Sequence, residues 1–379
     1  MKILLVGDYP ADPLLGSAKV YYKLGESFRE LGHECDVLLR PDIGETPENW
    51  RVRQVVSAGM TERAIRRAMH ERGPYDVVDV ASGEGWLFAL RRKKGGGPAV
   101  ISRSHGLEHL NYRRTLNDAA DGLTSKGWAR RIYYPTVRLP QVAAAARLAD
   151  ALIVLNEGDR GFAVDRGWQS PNRVHVVAHG VSERFLADAP RFDAPRGQGV
   201  LFCGSWDAVK GAPYLARAMA ILAEAGAAPR LTILGPGLAE SAVLESFPAA
   251  ARPFVRVVPR APEDEVMRHY REHDLLVMCS TYEGFGMVVV EAMSQGLPVI
   301  ATPVGCAPMV VRDGENGMVV PARDPAALAD AIRRLMADSP LRRRMAAHAA
   351  ASARQFTWRA TAERTLEVYR ESIDLRSRR

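Results

Sequence analysis

Two glutamates, Glu283 and Glu291, stand eight positions apart, with Gly284-Phe285-Gly286-Met287 following the first. The two glycines permit a tight strand-to-helix turn whose exposed amides and helix N-terminus form an anion site. Carried on a regular helix, a spacing of eight puts the carboxylates about 12 Å apart along the axis and roughly 80° apart around it. That exceeds the roughly 5 to 9.5 Å between the paired carboxylates of a glycosidase, which disfavours an acid and a base acting on one bond. Two anchors for opposite ends of one extended ligand fit better: one carboxylate can accept hydrogen bonds from sugar hydroxyls, the other from a ribose diol. For either glutamate alone, the plainer reading is a carboxylate that stabilises the helix dipole or stands exposed.

Two further positions could do chemistry. His105, followed by Gly106, ends the apolar run Ala99 to Ser104, where open α/β sheets place ligand-binding residues. A lone histidine is as readily a structural donor. Gly16, between Leu15 and Ser17, opens a helix whose backbone can approach a phosphate or a sugar, or it is an ordinary turn. Gly95-Gly96-Gly97 has no Lys-Ser/Thr after it and precedes a strand, so it reads as a basic surface turn.

The elements that must hold these residues are short Val-, Ile- and Leu-rich runs alternating with helical periodicity. In the first half the runs are Lys2 to Val6, Cys35 to Leu39, Val77 to Val80, Ala99 to Ser102, Ala151 to Leu155 and Val174 to Val177. Helical patterns such as Ala18 to Leu31 and Thr61 to Glu71 lie between them. Strands apolar on both faces, alternating with helices, predict a parallel sheet covered on both sides. The rhythm restarts at Val200 to Cys203 and continues through Leu231 to Leu234, Val255 to Val258, Leu275 to Cys279 and Pro298 to Ala301. The fold class is therefore α/β, with two Rossmann-like, doubly wound parallel-sheet domains. We expect a first domain over 1–185, a linker over 186–199, a second domain over 200–355 and a terminal helical segment over 356–379. Ligands of such sheets sit outside the carboxyl ends of the strands.

The length of 379 residues suits two domains. The four cysteines, Cys35, Cys203, Cys279 and Cys306, form no C-x-x-C pair, so no zinc knuckle or redox dithiol is indicated. Met1 to Asp8 is too short for a signal peptide, and no stretch reaches the roughly 18 apolar residues that span a bilayer. A cytoplasmic protein, at most peripheral at the inner membrane face, is expected. The net charge of +7 suits a polyanion, an anionic surface or a phosphorylated ligand. Its densest source is Leu107 to Arg147, with seven basic and three acidic residues and Tyr112, Trp128, Tyr133 and Tyr134 interleaved. This segment is either a solvated helical face or a patch for an anionic acceptor or membrane.

The string from Glu283 to Glu291, continued by Ala292 to Thr302, resembles the E-x7-E motif of the retaining glycosyltransferases of family 4, two-domain enzymes of the GT-B type. Similar correspondences run along the chain at Gly32 to Val37, His179-Gly180-Val181 with Phe185, Asp313 to Gly317 with Val319 to Pro321, and Phe356-Thr357-Trp358. The resemblance implies two domains facing across a cleft and a C-terminal helix crossing back to the first. It implies transfer of a hexose from a nucleotide-diphosphate sugar to an acceptor hydroxyl, with retention and without a metal. Glu283 is then expected to contact the hexose and Glu291 the ribose, while the amides of Gly284 to Met287 meet the diphosphate. Lys210, with Gly211, looks like the family's diphosphate-neutralising lysine, and His105 like the histidine that hydrogen-bonds the transferred sugar. Gly204 and Ser205 fall at the phosphate clamp, and Pro259 and Arg260 near the nucleotide base.

One departure stands out. The family usually has an arginine directly after the glycine of this strand, where this chain has Ser205, and Arg260 or Arg103 is the candidate replacement. The expected partners are a nucleotide sugar and an acceptor that is a glycan, a lipid-linked sugar or a small molecule. Nucleic acid is not expected, and residues 107–147 could touch an anionic membrane. The competing readings are a nucleotide-sugar 2-epimerase and a non-catalytic nucleotide-sugar-binding relative.

Overall fold

The computed structural model describes residues 1–12, 16–45, 47, 49–92, 96–124, 128–187 and 196–378. Most of the expected linker 186–199 lies outside them, as do Leu15 and Gly95. By its contacts the chain divides into two units. Unit 1 comprises Met1–Tyr112, Ser125–Gly180 and Trp358–Arg379; unit 2 comprises Arg113–Thr124 and Val181–Thr357.

Unit 1 holds β1 (Lys2–Val6), β2 (Glu34–Leu38), β3 (Val77–Ala81), β4 (Ala99–Arg103), β5 (Ala151–Val154) and β6 (Val174–Val176). They form one parallel sheet in the order β2-β1-β3-β4-β5-β6. Every residue of β3, β4 and β5 is buried, as strands covered by helices on both faces must be. The helix Trp50–Arg72 starts eleven residues before the expected Thr61, because Gly59 and Val52, Val55 and Val56 blur its periodicity.

The terminal helix, Trp358–Ser377, packs within unit 1 against the helix Gly16–Glu30 and β4, as the family resemblance implied. Tyr369 carries that contact: its ring lies 5.8 Å from Phe28, and its hydroxyl donates to Asp79 Oδ2 at 2.5 Å. Asp79 is also the partner of Arg103, at 2.6 Å, and both side chains are wholly buried.

Unit 2 holds β7 (Val200–Cys203), β8 (Leu231–Leu234), β9 (Val255–Val258), β10 (Leu275–Met278), β11 (Val299–Ala301) and β12 (Gly317–Val319). Its parallel order is β12-β11-β10-β7-β8-β9. The first strand lies in the middle and the chain leaves it in opposite directions, so the switch point falls between β7 and β10. In unit 1 the corresponding point lies between β1 and β3. Among the described residues no helix is long and apolar enough to cross a membrane.

Candidate active site

In unit 2 the loops after β7 and β10 are knitted together by their backbones. The Thr281 amide donates to the Val209 carbonyl at 2.8 Å, and the Cys279 thiol lies 3.5 Å and 3.4 Å from the carbonyl oxygens of Lys210 and Gly211. Gly211 allows the approach. Its φ is +81°, and a Cβ there would stand 2.0 Å from the Cys279 carbonyl oxygen, which no side chain tolerates. This contact brings two residues separated by 72 others into an ion pair: Lys210 Nζ donates to Glu283 Oε1 at 2.5 Å. Ser280 Oγ donates to the same oxygen at 2.9 Å. Glu283 is mostly buried, while the Lys210 side chain keeps 32% exposure, so the ammonium has room to turn toward a ligand.

Below the pair, Asp207 organises the turn. Its carboxylate accepts the Lys210 amide at 3.0 Å and the Ser205 hydroxyl at 2.8 Å. Ser205 thus serves the turn, next to Gly204, whose amide donates to the Leu234 carbonyl. Pro259 and Arg260 are exposed after β9, the edge strand. Arg103 cannot replace the missing arginine, because in unit 1 it is fully buried on Asp79.

The glycine turn differs from the helical spacing expected of it. The helix begins only at Met287, after Gly286 at φ +88°, so Glu283 lies in the loop and not one helical face away from Glu291. No side chain caps the helix's first turn. Met287 is half-buried and Phe285 is buried, its ring 6.4 Å from that of Phe356. Glu291 is buried in the second turn and accepts the Tyr270 hydroxyl at 3.3 Å, which in turn lies 3.7 Å from Cys203 Sγ at the end of β7. Both glutamates therefore belong to the β7–β10 switch point, one through Lys210 and the other through Tyr270.

Three residues here escaped the sequence reading: Ser280, Tyr270 and Gly305. Gly305, at φ +60°, supports the turn from the loop after β11: a Cβ on it would stand 2.4 Å from the Phe285 carbonyl oxygen and 2.7 Å from Glu283 Cβ. A glycine in the loop four residues after a strand was the available signal.

In unit 1, His105 follows β4 and joins a cluster of rings. Its Nε2 is 3.3 Å from the Tyr21 hydroxyl; Tyr9 meets it edge-on at 5.5 Å, and His179 lies 5.9 Å away. Burial, and then the Arg103 guanidinium, push the His105 pKa down to about 3. The same burial, with His105 and Arg103 beside it, lowers His179 well below the ordinary value. Both imidazoles are neutral at physiological pH, so His105 can hydrogen-bond a hydroxyl without repelling a cation.

A depressed histidine pKa means that the unfolded chain binds more protons between about pH 3 and pH 6.5, so stability falls as pH drops through that window. His105 alone is expected to cost about 2 kcal/mol between pH 7 and pH 5, at about 1.4 kcal/mol per pH unit below 6.5. Urea unfolding at both pH values checks this, and His105→Gln should flatten the dependence. An unchanged slope would refute it.

Gly16 opens its helix exposed, with no atom within 4 Å of where a Cβ would stand.

Beside Tyr9 lies a charged group that the sequence reading did not assemble. Arg138, almost fully buried, bridges Glu84 at 2.8 Å and Glu108, with Nε and Nη2 contacts of 2.5 to 3.0 Å. Tyr134 donates to Glu108 Oε2 at 2.6 Å. Burial is the main cause raising the Glu84 pKa; Arg138 opposes it and Glu108 adds to it. Ser82, directly after β3, has φ +37°, a strained value for a non-glycine residue and one typical of functional sites. The basic segment 107–147 thus spends Arg138 internally, and it spends Arg114 on Asp118.

Comparisons with known proteins agree with this geometry. A family model described as Glycosyltransferase Family 4 matches residues 15–185, and one described as Glycosyl transferases group 1 matches 197–338. D-inositol 3-phosphate glycosyltransferase of Nocardioides is 32% identical over 326 residues, 79% of this chain and 68% of that protein. The Frankia alni protein of the same name is 29% identical over 94% of this chain and 95% of its own. Among solved structures, sucrose-phosphate synthase from Thermosynechococcus elongatus superposes with TM-score 0.78 at 20% identity, covering 99% of this chain and 100% of that one. Anabaena HepE in complex with UDP and glucose gives TM-score 0.66 at 16% identity, covering 98% and 100%. These likenesses show the GT-B fold, and with the family models and the 32% relative they establish that the chain belongs to glycosyltransferase family 4, the glycosyl transferases group 1.

Proposed function

We propose that this glycosyltransferase moves a hexose from a nucleoside-diphosphate sugar to an acceptor hydroxyl with retention of anomeric configuration and without a metal ion. The observation that carries this is the Lys210–Glu283 pair at the switch point of unit 2, beside a helix start without a side-chain cap. Residues 200–355 would take the donor and 1–185 the acceptor, joined by the linker 186–199, with 356–379 returning to the first domain.

On donor binding, Lys210 turns from Glu283 to the diphosphate, and the amides of Gly284 to Met287 meet the same charge. The freed Glu283 carboxylate accepts hydrogen bonds from the hexose, held in place by Ser280; Glu291 takes the ribose. Gly204 and Ser205 border the phosphates, and Pro259 and Arg260 lie toward the base. As the bond between the anomeric carbon and the diphosphate oxygen breaks, Lys210 and the amides stabilise the departing charge. The acceptor oxygen bonds to that carbon and its proton passes to the leaving phosphate. Neutral His105 hydrogen-bonds the transferred sugar. Lys210 supplies the charge that a metal supplies elsewhere.

The neighbour solved with UDP makes a uridine donor the first to test. Calorimetric titration with UDP, GDP and ADP should find one that binds. Transfer from the matching sugar should survive EDTA and give a product whose anomeric configuration, read by NMR, equals the donor's. Absence of nucleotide binding, or an inverted product, overturns the reading. Peripheral contact with an anionic membrane has exposed Arg131, Arg147 and Ile132 of unit 1 in its support, and sedimentation with phosphatidylglycerol vesicles tests it.

A further inference from the structure

We propose that the acceptor of this chain is an uncharged polyhydroxylated molecule, recognised by the carboxylates of Glu84 and Glu108, and not a phosphorylated one. The inference rests on the reading that unit 1 takes the acceptor. The curated relatives are named for a phosphorylated inositol, so the charge available at this chain's own site decides whether it shares that preference.

Around the carboxyl ends of β1 to β4, Arg40, Arg103 and Arg138 are each paired with a carboxylate. Arg40 donates to Asp8 Oδ1 at 2.7 Å and to its carbonyl at 2.8 Å. Arg103 is sealed on Asp79. Arg138 faces two carboxylates at once, so the Glu84–Arg138–Glu108 group carries one net negative charge when both acids are ionised. The guanidinium is also fixed by packing: a Cβ on Gly83 would come within 3.1 Å of Arg138 Nη1. A phosphate brought to this group would meet two carboxylates and a guanidinium that they already neutralise, and like charges at such a distance repel strongly.

A second observation points to a ligand. Glu84 is nine-tenths buried, yet its Oε2 has no hydrogen-bond partner, although its Oε1 holds Arg138. A buried carboxylate oxygen without a donor is costly and rare in a finished structure, and a substrate hydroxyl would satisfy it. Glu108 is pre-aligned by the Tyr134 hydroxyl. Tyr9, whose phenol feels both carboxylates and Arg138, touches His105 edge-on, so the acidic group is continuous with the residue assigned to the sugar. Two carboxylates flanking one guanidinium present acceptors and donors side by side, the pattern that vicinal hydroxyls match.

The test compares matched pairs of acceptors with the nucleotide sugar that titration selects: myo-inositol against D-inositol 3-phosphate, fructose against fructose 6-phosphate, glucose against glucose 6-phosphate. The neutral member of any pair that reacts is expected to have a kcat/KM at least about tenfold higher. A preference for the phosphorylated member overturns the proposal. In parallel, inorganic phosphate is added to protein saturated with the selected nucleoside diphosphate. Wild type should show no thermal shift beyond that of chloride at equal ionic strength, and a saturating shift overturns the proposal even if no acceptor reacts. The double variant Glu84→Gln/Glu108→Gln, which frees Arg138, should gain a saturating phosphate shift; a folded variant that gains none removes the assignment to these residues. Failure of the transferase reading is separately visible as absence of nucleotide binding, and the phosphate measurement then runs on the unliganded protein.

Discussion

Replacing Lys210 with methionine is expected to lower kcat/KM by about 10²- to 10³-fold, the loss of about 2.7 to 4 kcal/mol that follows removal of one group stabilising developing charge. The loss should appear in kcat as well as in nucleotide affinity, because the ammonium meets more charge on the departing diphosphate than on the intact donor. In the free protein that ammonium sits on Glu283 at 2.5 Å with a third of its side chain exposed, so methionine fills the space without opening a cavity. The mostly buried Glu283 then keeps Ser280 but loses its cation, so the thermal unfolding temperature should fall, by less than for the wholly buried Arg103–Asp79 pair, while activity collapses. Lys210→Arg should keep part of the rate, since a cation remains but its planar fork does not suit a site built for a compact charge. Steady-state kinetics and calorimetry on the three proteins decide; rates and affinities within about twofold of wild type would remove Lys210 from the mechanism.

The second large effect concerns stability. Arg103→Met should destabilise the protein by about 3 to 5 kcal/mol, because it leaves the Asp79 carboxylate buried with only the Tyr369 hydroxyl to satisfy it. The loss reaches beyond β3 and β4, since Tyr369 uses the same carboxylate to anchor the terminal helix. Arg103 Nη1 has no hydrogen-bond partner, so the pair is not an ideal network, and replacing both ends with Asp79→Leu/Arg103→Met should recover much of the loss. Urea unfolding of the single and double variants measures this. A single variant as stable as wild type would show that the buried pair contributes nothing net.

The short apolar runs located eleven of the twelve strands, with ends shifted by no more than a residue or two, because a strand buried on both faces leaves an unbroken hydrophobic signal; the three-residue β12 (Gly317–Val319), only partly buried, left no such run. The helix Trp50–Arg72 was legible only in its second half, where periodicity is not diluted by valine and glycine. Glu283, the glycine turn, Lys210 and His105 were visible as residue types in the segments that follow strand ends, and Glu291 in the helix beyond, because ligand chemistry on such sheets collects there.

What only the tertiary structure decided is which of these residues meet. Parallel strands β7 and β10 become neighbours although the segments of β8 and β9 separate them in sequence, and that adjacency alone puts Lys210 on Glu283. The strand-to-helix turn, with Gly286 in a left-handed conformation, takes Glu283 off the helix, so a helical spacing of eight does not set its distance from Glu291. Glu84, Glu108 and Arg138 carried no motif at all; they converge because a strained turn after β3 and two helices share one end of a sheet. The sequence by itself therefore determined the architecture and the candidate residues of unit 2, since both are written in local patterns. The charge balance of the Glu84–Arg138–Glu108 group was left to the fold, because an ion pair between distant residues has no local pattern to read.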